Sequence, residues 1–241
     1  YLTNRLVHDG WGLMQFQAAS LGEGWSDFIA IMLQLKEQDR HVLGNDLFQG
    51  HFPMSAFAGR TLIGNAAFEQ GIRRYPYTTD MNVNGLTLGH IAFSAELPHE
   101  EQGDFHSASP VANNEVHNAG EVWTIALWEV YVALHNERSD LSFDMVEKRM
   151  REYLVASLKI TPYWPTYTEA RDALLAVAAA TDVKDFEIML KAFAKRGYGL
   201  DAISPLRTDY LFENVKQGFA TQHPTFTVTD VTADYYYMGK S

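Results

Sequence analysis

Leu21-Gly22-Glu23-Gly24-Trp25-Ser26-Asp27-Phe28 opens a helical pattern within a chain of 241 residues. Leu21, Trp25, Phe28, Met32 and Leu35 recur at three- and four-residue intervals, the spacing of one apolar helix face. The pattern predicts an amphipathic helix over about residues 20–36, with Ser20 as its N-cap and Glu23 as the capping-box partner. Glu23 and Asp27 are four apart, so their carboxylates leave the same face one turn from each other. Two readings fit that spacing. The acids complement the positive end of the helix dipole, or Glu23 ligates a metal while Asp27 behind it orients a histidine ligand through its second ring nitrogen. Gly22 and Gly24 remove bulk on either side of Glu23, so a second helix or a cation can come close.

Outward from this helix, residues 41–89 lose any sustained period and carry scattered Gly, Asn and Pro, which predicts loops and short turns, often the functional part of a domain. A polar stretch over residues 99–114 leads into the strongest helical signal of the chain, Val116, Gly120, Trp123, Leu127, Val130, Tyr131 and Leu134, with His117, Glu121 and Thr124 on its other face. Further helices are predicted over residues 142–158, 168–180 and 183–196, the last stopped by Gly197. Thr225 to Tyr237 alternates Thr, Val, Phe and Tyr and predicts an extended strand. The expected architecture is mainly α, a body over residues 1–205 followed by a β-prone extension over 206–241.

Composition narrows the function classes. The chain is 46% hydrophobic and can bury a substantial core. Nineteen Lys and Arg against thirty Asp and Glu give a formal charge of -11, which disfavours nucleic acid and anionic membranes as partners. No apolar run reaches the roughly 20 residues of a bilayer span. With no cysteine, disulfide frameworks, thiolate metal sites and cysteine nucleophiles are excluded, and any metal must be held by His and carboxylate.

Gly22-Glu23-Gly24-Trp25-Ser26-Asp27-Phe28 closely resembles the third-ligand segment of fungalysin-type zinc peptidases, relatives of thermolysin in the gluzincin group. The resemblance implies that Glu23 is a zinc ligand and Asp27 its supporting carboxylate. Tyr1 to Val7 looks like the continuation of the helix that carries His-Glu-x-x-His in that family, and Tyr1 stands just after the expected second histidine. The motif itself occurs around none of the nine histidines of this sequence, so the other two zinc ligands and the general base are expected from an N-terminal half outside this chain.

Gly71-Ile72-Arg73-Arg74-Tyr75-Pro76-Tyr77 is similar to the family segment whose first arginine binds the substrate carbonyl, which implies that role for Arg73. A guanidinium offers a planar fork of donors and keeps its charge; on composition alone Arg73 and Arg74 read as solvated surface charges. Asn113-Asn114-Glu115-Val116-His117 through Trp123 is similar to the segment whose histidine donates to the oxyanion, so His117 inherits that assignment. Thermolysin-like relatives hold this histidine with a preceding aspartate, where this chain has Ala112, Asn113 and Asn114; Asn113 is the expected acceptor and, with Arg73, a candidate substrate-binding residue. Phe193 to Gly199 matches the closing helix and reads as structural, and Trp25, Trp123, Trp128 and Tyr131 read as core.

The resemblance implies the mainly helical C-terminal subdomain of a thermolysin-like catalytic domain, a secreted zinc endopeptidase acting on peptide or protein substrates, with this half inactive alone. The alternatives are an inactive fragment or homologue serving as an interaction module, and an unrelated helical binding domain in which Glu23 only caps a helix.

Overall fold

The computed structural model describes residues 2–99 and 112–222. Tyr1 and the whole of the expected strand from Thr225 to Tyr237 lie outside the described residues. The fold is mainly helical: α1 (Leu2–Leu6), α2 (Phe16–Met32), α3 (Ala56–Ile63), α4 (Ala67–Gln70), α5 (Val116–Glu137), α6 (Phe143–Ile160), α7 (Tyr167–Thr181) and α8 (Val183–Lys195). Pairing between extended segments is confined, among the described residues, to isolated bridges such as Phe52 with Tyr77 and Ile203 with Lys216.

α5 is the axis. Nearly every side chain from Asn118 to Leu134 is buried, as expected of a helix enclosed on all sides rather than lying on a surface. It packs against α2 and α8, and α7 packs against α6 and α8. Trp123 organises the centre: Trp25 of α2 meets it edge-on at 5.8 Å, Phe193 of α8 stacks on it at 5.8 Å, and Tyr167 and Tyr198 complete the cluster. Trp25, Trp123, Trp128 and Tyr131 are all core residues, as the sequence predicts.

The later helices follow their expected bounds closely because their caps are ordinary ones. Ser142, Thr166 and Asp182 each accept a backbone N–H in the first turn of α6, α7 and α8, and Gly197 ends α8 at φ +80°. α2 differs from expectation. It begins a turn earlier, at Phe16, and ends at Met32, and Ser20 is a buried interior residue whose hydroxyl lies 3.4 Å from the Phe16 carbonyl. Gln17 accounts for the earlier start, since its side-chain amide donates to the carbonyls of Pro205 and Leu206 and ties the new first turn to the far end of the chain.

Residues 41–89 contain 3₁₀ turns together with α3 and α4, two short helices that the sequence pattern did not reveal. Buried cations fix this region. Arg196, fully buried beyond the end of α8, donates to Glu129 on α5 and to the carbonyls of Thr78, Asn84 and Leu86. At the start of α8 Asp185 receives Arg138, Arg149 and the Tyr153 hydroxyl.

α2 and α5 meet through glycine. A Cβ built on Gly24 would lie 2.5 Å from the Gly120 carbonyl oxygen and 2.9 Å from the Trp123 Cβ; one on Gly120 would lie 3.0 Å from the Cβ of Glu23. The Thr124 hydroxyl straps the crossing, within 3.0 Å of the Gly24 carbonyl and 3.1 Å of the Gly120 carbonyl. Gly24→Ala in the complete protein is therefore expected to lower stability by about 1–3 kcal/mol, despite alanine's better helix propensity. Urea unfolding reads this, and an unchanged midpoint would show that the helices are not in forced contact.

His135, near the end of α5, is boxed by Tyr131 and Phe143, each with ring centroids at 4.5 Å, and by Phe48 at 5.4 Å; its Nε2 has no hydrogen-bond partner among the described residues. Burial, with Arg40 adding to it, pushes the imidazole down to about 3. The unfolded chain protonates this group near pH 6.5, so between roughly pH 6.5 and 3 it binds a proton that the folded chain refuses, and stability falls as pH drops. His135→Phe should remove about 2 kcal/mol of the stability loss between pH 7 and pH 5, measured by urea unfolding at both pH values. Parallel pH dependence in the two proteins would contradict this account.

Candidate functional site

Glu23 lies in the second turn of α2 and Asp27 in the third, counting from Phe16. Neither sits at the helix start, so the dipole reading of these acids is set aside by the observed boundary. Glu23 leaves the helix face that meets the first turn of α5, where its Oε2 is 3.3 Å from Nε2 of His117. The two side chains are 41% and 45% exposed, although the α2–α5 contact beyond them is largely buried. Among the described residues no Lys, Arg or backbone N–H occupies the Glu23 carboxylate, which leaves its lone pairs available to a cation.

Asp27 is buried and occupied. Arg73 donates to it through Nε at 2.7 Å and Nη2 at 2.9 Å, and the Tyr77 hydroxyl donates at 2.7 Å. Burial opposes the charge on Arg73, but the bonds to Asp27 and the surrounding anions outweigh it and hold its pKa above the ordinary arginine value. A carboxylate has about four acceptor sites and three are filled, so one remains for an imidazole N–H. Arg73 is thus a buried partner of α2, not a solvated surface charge.

Arg74, fully buried, fixes the segment that carries Arg73. Its backbone N–H and Nε donate to Glu121, Nη1 donates to Asn113 Oδ1 at 2.8 Å, and Nη2 donates to the Asn118 carbonyl at 2.7 Å. Asn113 also donates to the Ala95 carbonyl. The expectation that Asn113 holds His117 is corrected by these contacts, because its oxygen already serves Arg74. The acceptor facing His117 Nδ1 is Glu115, at 2.7 Å. Glu115 and the Arg74–Glu121 pair are the site residues the sequence reading passed over. A carboxylate at the N-cap of α5, two residues before His117, was the available signal for the first; the partners in the second are 47 residues apart and left none.

The structure therefore brings Glu23, His117 and Glu115 together at one end of the α2–α5 contact, with Asp27, Arg73 and Tyr77 one turn further along α2. Among the described residues no three His, Asp or Glu side chains converge on one metal position. What the described residues offer is one open carboxylate donor with a second carboxylate behind it, a set that fits a metal completed by ligands from elsewhere. No helix among the described residues is long and apolar enough to cross a membrane.

Comparison with known proteins places the chain in a family. The chain is 29% identical over 199 residues to the probable extracellular metalloproteinase 2 of Arthroderma benhamiae and to the extracellular metalloproteinase 2 of Trichophyton rubrum, each alignment covering 78% of this chain and 26% of the relative. It is 30% identical over 197 residues to the extracellular metalloproteinase mep of Aspergillus terreus, covering 76% of this chain and 25% of the relative. The chain spans about a quarter of the length of these relatives. The model of the fungalysin metallopeptidases (M36) matches residues 2–202, and the chain belongs to that family.

Proposed function

We propose that this chain is the downstream half of the catalytic unit of an exported zinc-dependent endopeptidase, which hydrolyses internal bonds of peptides and proteins. The carrying observation is the pairing of the half-exposed Glu23 carboxylate with His117 across the α2–α5 contact. Membership of the metallopeptidase family supports the reaction class, and the relatives' description as extracellular metalloproteinases supports export.

Glu23 would hold the metal, with two imidazoles supplied from outside these residues and one of them steadied by the free acceptor site of Asp27. Zinc bound there supplies a Lewis acid that makes water a nucleophile near neutral pH and polarises the scissile carbonyl. His117 contributes a ring donor beside that position. Aimed at the oxygen on which negative charge develops, such a donor stabilises the transition state more than the ground state. Arg73, fixed in the plane of its ion pair with Asp27, keeps Nη1 free of that pair for a substrate carbonyl. Asn113 borders the substrate from the loop ahead of α5. Arg74 and Glu121 hold that loop and the Arg73 segment at a constant spacing.

In the complete protein, Glu23→Ala should abolish stoichiometric zinc and chelator-sensitive peptide hydrolysis while the circular dichroism of the folded protein persists. Zinc retained at wild-type stoichiometry would sink the ligand assignment. His117→Ala should keep the zinc and lower kcat by about 100- to 1,000-fold, with KM changed only a few-fold; steady-state kinetics on a fluorogenic peptide separates the two constants.

A further inference from the structure

Glu115 divides its oxygens between two tasks. Oε2 accepts the backbone N–H of His117 at 2.9 Å and of Asn118 at 3.2 Å, which satisfies the first turn of α5. Oε1 lies 2.7 Å from Nδ1 of the His117 ring. Capping alone does not call for a glutamate. Short polar side chains are the favoured N-caps, and α6, α7 and α8 start on Ser142, Thr166 and Asp182. The longer side chain is what lets one carboxylate reach both the backbone and the ring.

The ring needs holding. His117 is the second residue of α5 and exposed, and the only side chains that the described residues bring against its nitrogens are Glu115 on Nδ1 and Glu23 on Nε2. Burial pushes the Glu115 carboxyl up, but the bonds from the His117 ring and from the Asn118 and His117 N–H groups outweigh it, so the group sits below its ordinary range and is ionised at neutral pH. An ionised carboxylate only accepts, so the nitrogen facing it carries a proton and the opposite nitrogen is turned toward Glu23.

We infer that Glu115 is the positioning residue of this site, fixing the ring plane of His117 so that Nε2, rather than Nδ1, is presented beside Glu23. The inference rests on the proposed function for its catalytic consequence, although the contact itself can be tested without turnover. Two variants separate the tasks in the complete protein. Glu115→Ser keeps a favoured N-cap but cannot reach the ring; Glu115→Ala loses both. Positioning predicts that kcat falls by about 10- to 100-fold in each, with KM and zinc content unchanged, and that only the alanine variant loses thermal stability. In a His117→Ala background, Glu115→Ser should lower kcat no further, because the effect passes through the ring. Long-range ¹H–¹⁵N spectra of histidine-labelled, metal-free protein should show a protonated Nδ1 on His117 in the wild type and an averaged ring in Glu115→Ser. Wild-type kcat and ring signals in Glu115→Ser, or an additive loss in the double variant, would overturn the inference. If His117→Ala leaves kcat untouched, the catalytic role of His117 falls, and the ring spectra still decide whether Glu115 holds it.

Discussion

The contact between Gly24 and Gly120 is the constraint from which the arrangement of this molecule follows. Two helices approach until backbone replaces side chain at the crossing, so the Cβ atoms of neighbouring residues come to the range in which short side chains can touch. Glu23 precedes one glycine and His117 lies one turn before the other. The backbone approach brings the two residues within reach of each other, and their side chains meet at 3.3 Å. Trp123 and its aromatic neighbours stiffen the same crossing from behind, each ring burying a large area against another.

The region over residues 71–92, which carries Arg73, sends Tyr75, Tyr77, Leu86, Leu88 and Ile91 into the core, but polar ties also set its course. It has little regular secondary structure of its own, and buried guanidinium groups stand in for a sheet. Arg74 reaches Glu121 and the Asn118 carbonyl on α5 and Asn113 in the loop before it, while Arg196 reaches Glu129 on α5 and the loop carbonyls of Thr78, Asn84 and Leu86. A buried ion pair seldom adds net stability over an apolar pair of the same shape, since desolvation offsets most of the attraction. Its value here is register. A guanidinium that donates in several fixed directions is satisfied in few geometries, so a loop tied to it is held to its course over the helices.

The helical body was legible in the sequence because α5 to α8 carry long periodic stripes and local caps. α2 was legible in kind but not in extent: Ser20 and Glu23 match a capping box locally, while the true start depends on Gln17 reaching carbonyls 188 and 189 residues away. α3 escaped notice because Ala56–Ile63 leaves Phe57 and Leu62 exposed and buries little beyond Gly59, so it shows no inward stripe. Glu23 and His117 were visible through the motifs around them. The burial of Arg73 and Arg74 was not, because a charge reads as solvated until its partner is found, and these partners lie on other helices.

Saturation distinguishes the polar groups that build this fold from those left open to react. Arg74, Arg196 and Asp185 are buried and meet several partners each, so none has a free hand for a ligand. Asp27 has one acceptor site to spare. Among the described residues Glu23 meets only the edge of His117, at 3.3 Å, and both side chains are partly exposed. Leaving a carboxylate so sparsely bonded between two tightly packed helices contributes nothing to stability, and the close approach of Glu115 from the other side of the ring brings a second negative charge near it. Two carboxylates converging on one imidazole make a locally electronegative position. Among the described residues no Lys, Arg or backbone N–H offsets that charge at Glu23, whose lone pairs stay open, unlike those of the saturated carboxylates that build the fold.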